Sequence, residues 1–376
     1  MGLLRRCVRP LLWMGVAVIG ATGCGGDNDA PTIDDLVRLN EIQVIGSHNS
    51  YHIRAPEPRW SRLLEVSDVF RAWEYTHPPL DEQFETRHIR QIELDVWADP
   101  DGGLYADRSV LINYGIDPGP IPAELYEPGF KVLHVQDIDI ETNCLTFVAC
   151  LQTVKAWSDA NPQHVPIMIL VEAKDDVIGG QFTTPIEIGT EQFDALDEEI
   201  RSVFPPAQLI TPDDIRGGME SLEEAVLTAG WPTLREARGR VLFALDNGGG
   251  KRTAYLSGHP NLEGRVLFTN ATPGDPDAAF VKENDPLADP ARIPNLVREG
   301  YIVRTRADAD TVQARSGDTT QRDAALESGA QFVSTDYPVE NPDFGTGYVV
   351  RFPEGDPVRC NPINAPPECV STLLTP

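Results

Sequence analysis

Short β-like apolar runs recur along this chain with amphipathic stretches between most of them, and that alternation constrains the fold more than any other feature. The runs are "EIQVIG" (41–46), "QIELDVW" (91–97), "KVLHVQ" (131–136), "VPIMILVEA" (165–173), "RVLFALD" (240–246), "RVLFTNA" (265–271), "YIVRTRA" (301–307) and "QFVSTD" (331–336). Between them, "TEQFDALDEEIRSVF" repeats Phe193, Leu196, Ile200 and Val203 at helical spacing. Similar stretches surround Val148 to Trp157, Leu222 to Leu227, Ile293 to Val297 and Ala324 to Leu326. Strands that alternate with helices pair in parallel, and eight of them predict a closed (β/α)8 barrel of the TIM type. No Pro/Gly/Ser-rich linker divides the region, so the expectation is an α/β single domain over 37–345 and a C-terminal tail over 346–376. The least decided part is 208–240, where "PAQLITPDDI" reads as a strand or as a long loop.

The N-terminus reads differently. Arg5, Arg6 and Arg9 precede an apolar stretch from Leu11 to Ile19, and small residues follow up to Cys24. This is the pattern of a secretory signal over 1–23. It is too short for a spanning helix, which needs about 20 apolar residues. "ATGCGG" is similar to a lipobox, so Cys24 is a candidate for lipidation, followed by a tether over 24–36. Ala21 stands where a lipobox usually has leucine, which leaves cleavage without lipid open. The expectation is an exported protein, on the cell envelope as a lipoprotein or secreted. Four further cysteines form two close pairs, Cys144 with Cys150 and Cys360 with Cys369, and in an exported chain an even count favours disulfides. The net charge of -27 becomes about -30 once the three leader arginines are removed. Such acidity excludes nucleic acid as a partner, since phosphates need a basic face. A monomer is expected.

In a barrel of this kind chemistry gathers at the C-terminal ends of the strands. The first run ends on His48 and Asn49. The second carries Glu93 and Asp95, two residues apart and therefore on one face. The third carries His134, and the fourth Glu172 and Lys174. Polar side chains facing a barrel interior are costly unless paired or bound to something. Three carboxylates and an asparagine oxygen are hard donors that suit Ca2+, or Mg2+ with more retained water. Two imidazoles on separate strands add groups that titrate near neutrality. A cation with two imidazoles suits attack on a phosphodiester.

At these residues the chain resembles the phosphoinositide-specific phospholipases C, in particular their calcium-dependent bacterial branch. The resemblance lies in "GSHNSYH", "ELDVW", "VLHVQD", "MILVEAK", "RTRADA" and "STDYP", in order from 46 to 338. It implies a TIM-type barrel that cleaves phosphatidylinositol-type lipids to diacylglycerol and a (cyclic) inositol phosphate. It implies that His48 contacts the phosphate and relays a proton, and that His134 is the general acid. Asn49, Glu93, Asp95 and Glu172 resemble the calcium ligands. Lys174, Arg304, Arg306 and Tyr337 fall where phosphate or inositol contacts are expected. Membrane contact is then expected through the substrate and the N-terminal anchor.

Plainer readings compete with each piece. A lone histidine on an apolar run is commonly a hydrogen-bonded core residue, and paired acids commonly solvate a surface. His52, His77, His88, His164 and His259 have no comparable setting and read as structural. "DNGGGKR" (246–252) lacks the spacing of a phosphate-binding loop and reads as a turn. Two rival functions remain: another phosphodiesterase, acting on glycerophosphodiesters or sphingomyelin-like lipids, and a non-catalytic calcium-binding surface lipoprotein.

Overall fold

A run such as Ile167–Val171 has nowhere to go but an interior, and every residue of it is buried. In the computed structural model, which describes residues 30–353 and 355–375, it forms the middle of a parallel sheet. The expected leader, Cys24 and most of the tether lie outside the described residues. From Thr32 onward the chain is one compact unit.

The parallel strands that form the circuit are β1 (Ile42–Ser47), β2 (Gln91–Trp97), β3 (Ile167–Lys174), β4 (Val241–Leu245), β5 (Leu267–Thr269), β6 (Phe280–Lys282), β7 (Ile302–Arg306) and β8 (Phe332–Thr335); the two-residue Leu209–Ile210 also pairs in parallel, with Val241 and Leu242. They pair in the order β5–β4–β3–β2–β1–β8–β7–β6. Asn270, one residue past β5, bridges in parallel to Phe280 of β6, so the pairings return to where they started. The result is a TIM-like α/β arrangement. Buried apolar side chains fill both the sheet interior and the layer between strands and helices.

Helices form where the spacing predicted them. Phe147–Ala160 starts at Thr146, whose hydroxyl accepts from the Ala149 amide, and it buries Phe147, Leu151, Val154 and Trp157. Thr190–Val203 buries Phe193, Leu196, Ile200 and Val203. The region 208–240 is a two-residue strand, Leu209–Ile210, followed by short helices.

One expected barrel strand is corrected. Of "KVLHVQ", only Lys131 and Val132 are strand, and they pair antiparallel with Val96 and Trp97 of β2. The parallel strand that sequence reading overlooked is β6, three residues long and too brief to announce itself by periodicity. The C-terminal residues also add to the sheet: Val358–Cys360 pairs antiparallel with β1, Cys360 opposite Ile42. Disulfides join Cys144 to Cys150 and Cys360 to Cys369.

The β1 glycine has a steric cause. A Cβ on Gly46 would stand 1.8 Å from Oε1 of Gln91, a fully buried side chain inside the sheet. Only a residue without a side chain lets β1 and β2 approach there.

Candidate active site

Alternation along β2 sends Ile92, Leu94 and Val96 outward to the helices and Glu93 and Asp95 inward. On β3 the apolar run ends at Glu172, which stands in register beside Asp95, while Lys174 stands beside Trp97. Oxygens of Glu93, Asp95 and Glu172 therefore come within 4.8 Å of one another. Asp95 is fully buried, and neither of its carboxylate oxygens accepts a hydrogen bond. The Lys174 ammonium lies 3.3 Å from Glu172 Oε1 and 3.5 Å from Asp95 Oδ2. Burial first, then the Glu172 charge, pushes the Asp95 carboxyl well above the ordinary aspartate range, with Lys174 opposing. Burial likewise raises Glu93 to about 7, against the pull of Arg304. Arg304, itself buried, donates to Glu93 Oε2 at 2.5 Å and to Ser334 Oγ at 2.9 Å.

Asn49 completes this corner. It adopts a left-handed backbone, φ 43°, where the chain turns off the end of β1. Its amide donates to the Tyr75 hydroxyl at 3.0 Å, which leaves Oδ1 buried and without a donor. Unsatisfied buried oxygens on Asn49 and Asp95, beside two more carboxylates, are what an oxygen-seeking divalent cation would satisfy. The donor set fits calcium.

His48 follows β1 directly, its amide donating to Thr335 O at 3.0 Å. Its Nδ1 lies 2.7 Å from Asp336 Oδ1. Because an ionised carboxylate only accepts, Nδ1 carries the proton and Nε2 is the acceptor. That Nε2 is 3.2 Å from Nη1 of Arg306 and 3.7 Å from Glu93 Oε1. Burial, then the Arg306 charge, pushes the imidazole down to about 3, with Asp336 opposing. Arg306 is held by Asp336 Oδ2 at 3.2 Å and by the Asp308 carbonyl at 2.9 Å. Burial of Asp336 is outweighed by His48 and Arg306, which draw its carboxyl down to about 2.

His134 is placed by a loop, not by a barrel strand. Antiparallel pairing of Val132 with Val96 anchors the loop, and Trp97 Nε1 donates to Leu133 O at 2.7 Å. Asp139 then accepts from His134 Nδ1 at 2.7 Å and from His52 Nε2 at 3.0 Å through the same Oδ2. His52 Nδ1 meets the Tyr75 carbonyl at 3.1 Å. Both ring nitrogens of His52 thus face oxygens, a carboxylate on one side and a backbone carbonyl on the other. Burial raises the Asp139 carboxyl, but His52 and His134 outweigh it and hold it below the usual range. Trp73 meets the His134 ring edge-on, with centroids 5.4 Å apart.

The structure therefore brings Glu93, Asp95, Glu172 and Lys174 together, with His48 3.7 Å from Glu93 and Arg306 against His48. Asn49 follows His48 off the end of β1, and His134 stands on its loop with Asp139 and His52. Arg304 is turned inward to Glu93, behind the acids. Tyr337 is buried, its hydroxyl donates to the Glu74 carbonyl at 3.1 Å, and its side lines a cavity of about 260 Å3 with Tyr75 and Asp336. Sequence reading missed Asp336, Asp139 and the engagement of His52. For Asp336 a signal existed: an acid at the end of the strand beside β1. Asp139 and His52 had none, since only the folded loop joins them.

Comparisons with known proteins place the chain in a family. The family model for phosphoinositide phospholipase C, Ca2+-dependent, matches residues 37–362. A solved calcium-dependent phosphoinositol-specific phospholipase C from a Gram-negative bacterium, Pseudomonas sp, in its apo form, is 16% identical with a TM-score of 0.52, covering 88% of this chain and 97% of that one. The myoinositol complex of the Pseudomonas enzyme gives the same identity and score and is covered to 99%. At such identity the likeness is one of fold. Curated protein sequences give no match. The match across residues 37–362 shows that the chain belongs to the calcium-dependent phosphoinositide phospholipase C family, whose members are phosphodiesterases.

Proposed function

We propose that this chain cleaves the phosphodiester of a phosphatidylinositol-type lipid, releasing diacylglycerol and a (cyclic) inositol phosphate. One observation carries the reading: two imidazoles, each with Nδ1 anchored 2.7 Å from a buried carboxylate, flank a cluster of unsatisfied buried oxygens. Asn49, Glu93, Asp95 and Glu172 would hold the calcium, which when bound supplies positive charge to a phosphoryl oxygen and acidifies a nearby hydroxyl.

The chain's own groups do the rest. Arg306 Nη1 lies 3.2 Å from His48 Nε2, and a phosphoryl oxygen beside them would accept from the guanidinium. Neutral His48 relays the proton of the attacking inositol hydroxyl, and Asp336 holds its tautomer and stabilises the imidazolium formed. His134 gives its proton from Nε2 to the departing glycerol oxygen, with Asp139 steadying the ring. Arg304 positions Glu93 through their ion pair. Lys174 offsets the acid cluster, and Tyr337 borders the cavity proposed for head-group contacts. The circuit of parallel pairings is read as a closed (β/α)8 barrel over 37–345. Export, lipid attachment at Cys24 and a monomeric state belong to the same proposal and rest on sequence pattern.

The test is an assay of purified mature protein on phosphatidylinositol, glycerophosphoinositol and sphingomyelin, each with calcium, with magnesium and with chelator. Calcium-dependent turnover confined to phosphatidylinositol is the expected result. Turnover of either other diester in preference would favour a different phosphodiesterase, and tight calcium binding with no turnover would leave a binding protein.

A further inference from the structure

The far end of the sheet carries a second cleft, of about 320 Å3, lined by Arg90, Trp157, His88, Asn161 and Glu85 among others. Arg90 immediately precedes β2, its amide donating to Ile45 O at 3.0 Å and its carbonyl accepting from the Met168 amide at 3.1 Å. Its side chain is 8% exposed and lies over the Trp157 ring, 4.8 Å from the centroid. Nη1 donates to the Phe84 and Ile89 carbonyls at 2.9 and 2.8 Å. Nε is buried with no acceptor, and among the described residues no carboxylate comes within ion-pairing distance of the guanidinium. Other buried arginines mostly differ: Arg304 has Glu93, Arg265 has Asp194 and Asp197, and Arg59 has Glu141, while Arg108 also lacks an ion pair among the described residues. A desolvated guanidinium without an anion is costly, and it faces open space.

The geometry points to a binding site at this cleft for a small organic monoanion, a carboxylate with an apolar body. The charge of Arg90 selects an anion, and its planar fork suits a carboxylate. Walls of Phe84, Trp157, Pro162, Val165 and Val358 select an apolar body. Glu85, whose Oε2 accepts from Trp157 Nε1 at 3.0 Å, puts a negative charge at the same cleft and so disfavours a dianion such as phosphate. His164 adds no competing donor, because Ser158 and the Val165 carbonyl occupy its ring nitrogens, each at 2.7 Å. The site lies at the opposite end of β2 from Glu93 and Asp95, so it is separate from the proposed calcium centre.

Isothermal titration of the mature protein with hexanoate and benzoate, and separately with inorganic phosphate, tests this without reference to activity. Saturable binding of a carboxylate, with phosphate at least tenfold weaker, is expected. Arg90→Gln should weaken carboxylate binding by about tenfold or more, the scale of one lost charge-assisted pair. Because Arg90→Gln removes bonds to two carbonyls and can unfold the chain, Glu85→Gln provides a second arm. It keeps an acceptor for Trp157 and removes the repelling charge, so it should tighten carboxylate binding several-fold and narrow the preference over phosphate. No saturable carboxylate binding to wild type and to Glu85→Gln would overturn the inference, as would binding that a folded Arg90→Gln leaves unchanged.

Discussion

Asp139→Asn tests the reading of His134 most sharply, because Asp139 touches neither the acids of the proposed calcium site nor His48 in any hydrogen bond. In the native arrangement one carboxylate oxygen serves two imidazoles, His134 at 2.7 Å and His52 at 3.0 Å. An asparagine oxygen in the place of Oδ2 can still accept from His134 Nδ1 and from His52 Nε2, so the fold keeps both bonds. What is lost is the negative charge that stabilises a protonated His134. A hydrogen bond to a charged group contributes about 1.5–3 kcal/mol against about 0.5–1.5 for a neutral one, so the loss is roughly 1.4 kcal/mol and about tenfold in turnover. Removing the acid altogether, with His134→Ala, should cost about 10²–10⁴. The assay compares phosphatidylinositol with an inositol phosphodiester of p-nitrophenol, whose leaving oxygen needs no proton. If His134 is the general acid positioned by Asp139, both variants lose activity on the lipid and are largely spared on the nitrophenyl ester. Equal losses on both substrates would refute the reasoning and leave Asp139 a purely structural residue.

Three further outcomes are expected. In chelator, wild type should lose stability relative to Glu93→Gln as pH rises from about 4.5 to about 7: Glu93 is raised to about 7 from 4.5, so the folded state binds its proton more tightly and loses that advantage across this interval. Calcium should restore more stability at pH 7.5 than at pH 5, and a wild-type melting temperature that climbs with pH relative to that of Glu93→Gln in chelator would contradict the acid cluster. Arg304→Met should destabilise the protein by about 3 kcal/mol in chemical denaturation, since it strands Glu93 as a buried charge, and Arg304→Met with Glu93→Gln should be less damaging than the single change. Gly46→Ala places a methyl 1.8 Å from Gln91 Oε1. It should cost about 1–3 kcal/mol by overpacking, while an alanine without effect would mean that β1 and β2 are not so closely apposed.

Much of the site was legible from residue type and spacing. Glu93 and Asp95 share a face because a strand has a period of two, and Glu172 was conspicuous as a carboxylate closing a fully apolar run. Those are local properties that any strand would impose. Strand membership was harder. "KVLHVQ" is as apolar as its neighbours, yet only two of its residues pair, and they pair outside the parallel circuit. Phe280–Lys282 is a barrel-type strand with only three residues to show for it. Pairing is decided by which backbone lies alongside, and a short run carries no record of its partner.

The deepest division falls between residues and their charge states. The sequence by itself determined which side chains could hold a cation and move protons, and that, His134 apart, they sit on or just past strands in order along the chain. Only the tertiary structure decided that His48 answers to Asp336, just past β8 and 288 residues away, and that Arg304 from β7 turns inward to Glu93 instead of outward to substrate. It also decided that His52 and His134 share one carboxylate. The reason is physical: proton affinity and pairing depend on burial and on neighbours within a few ångströms, and those neighbours are supplied by closure of the sheet, not by adjacency in the chain.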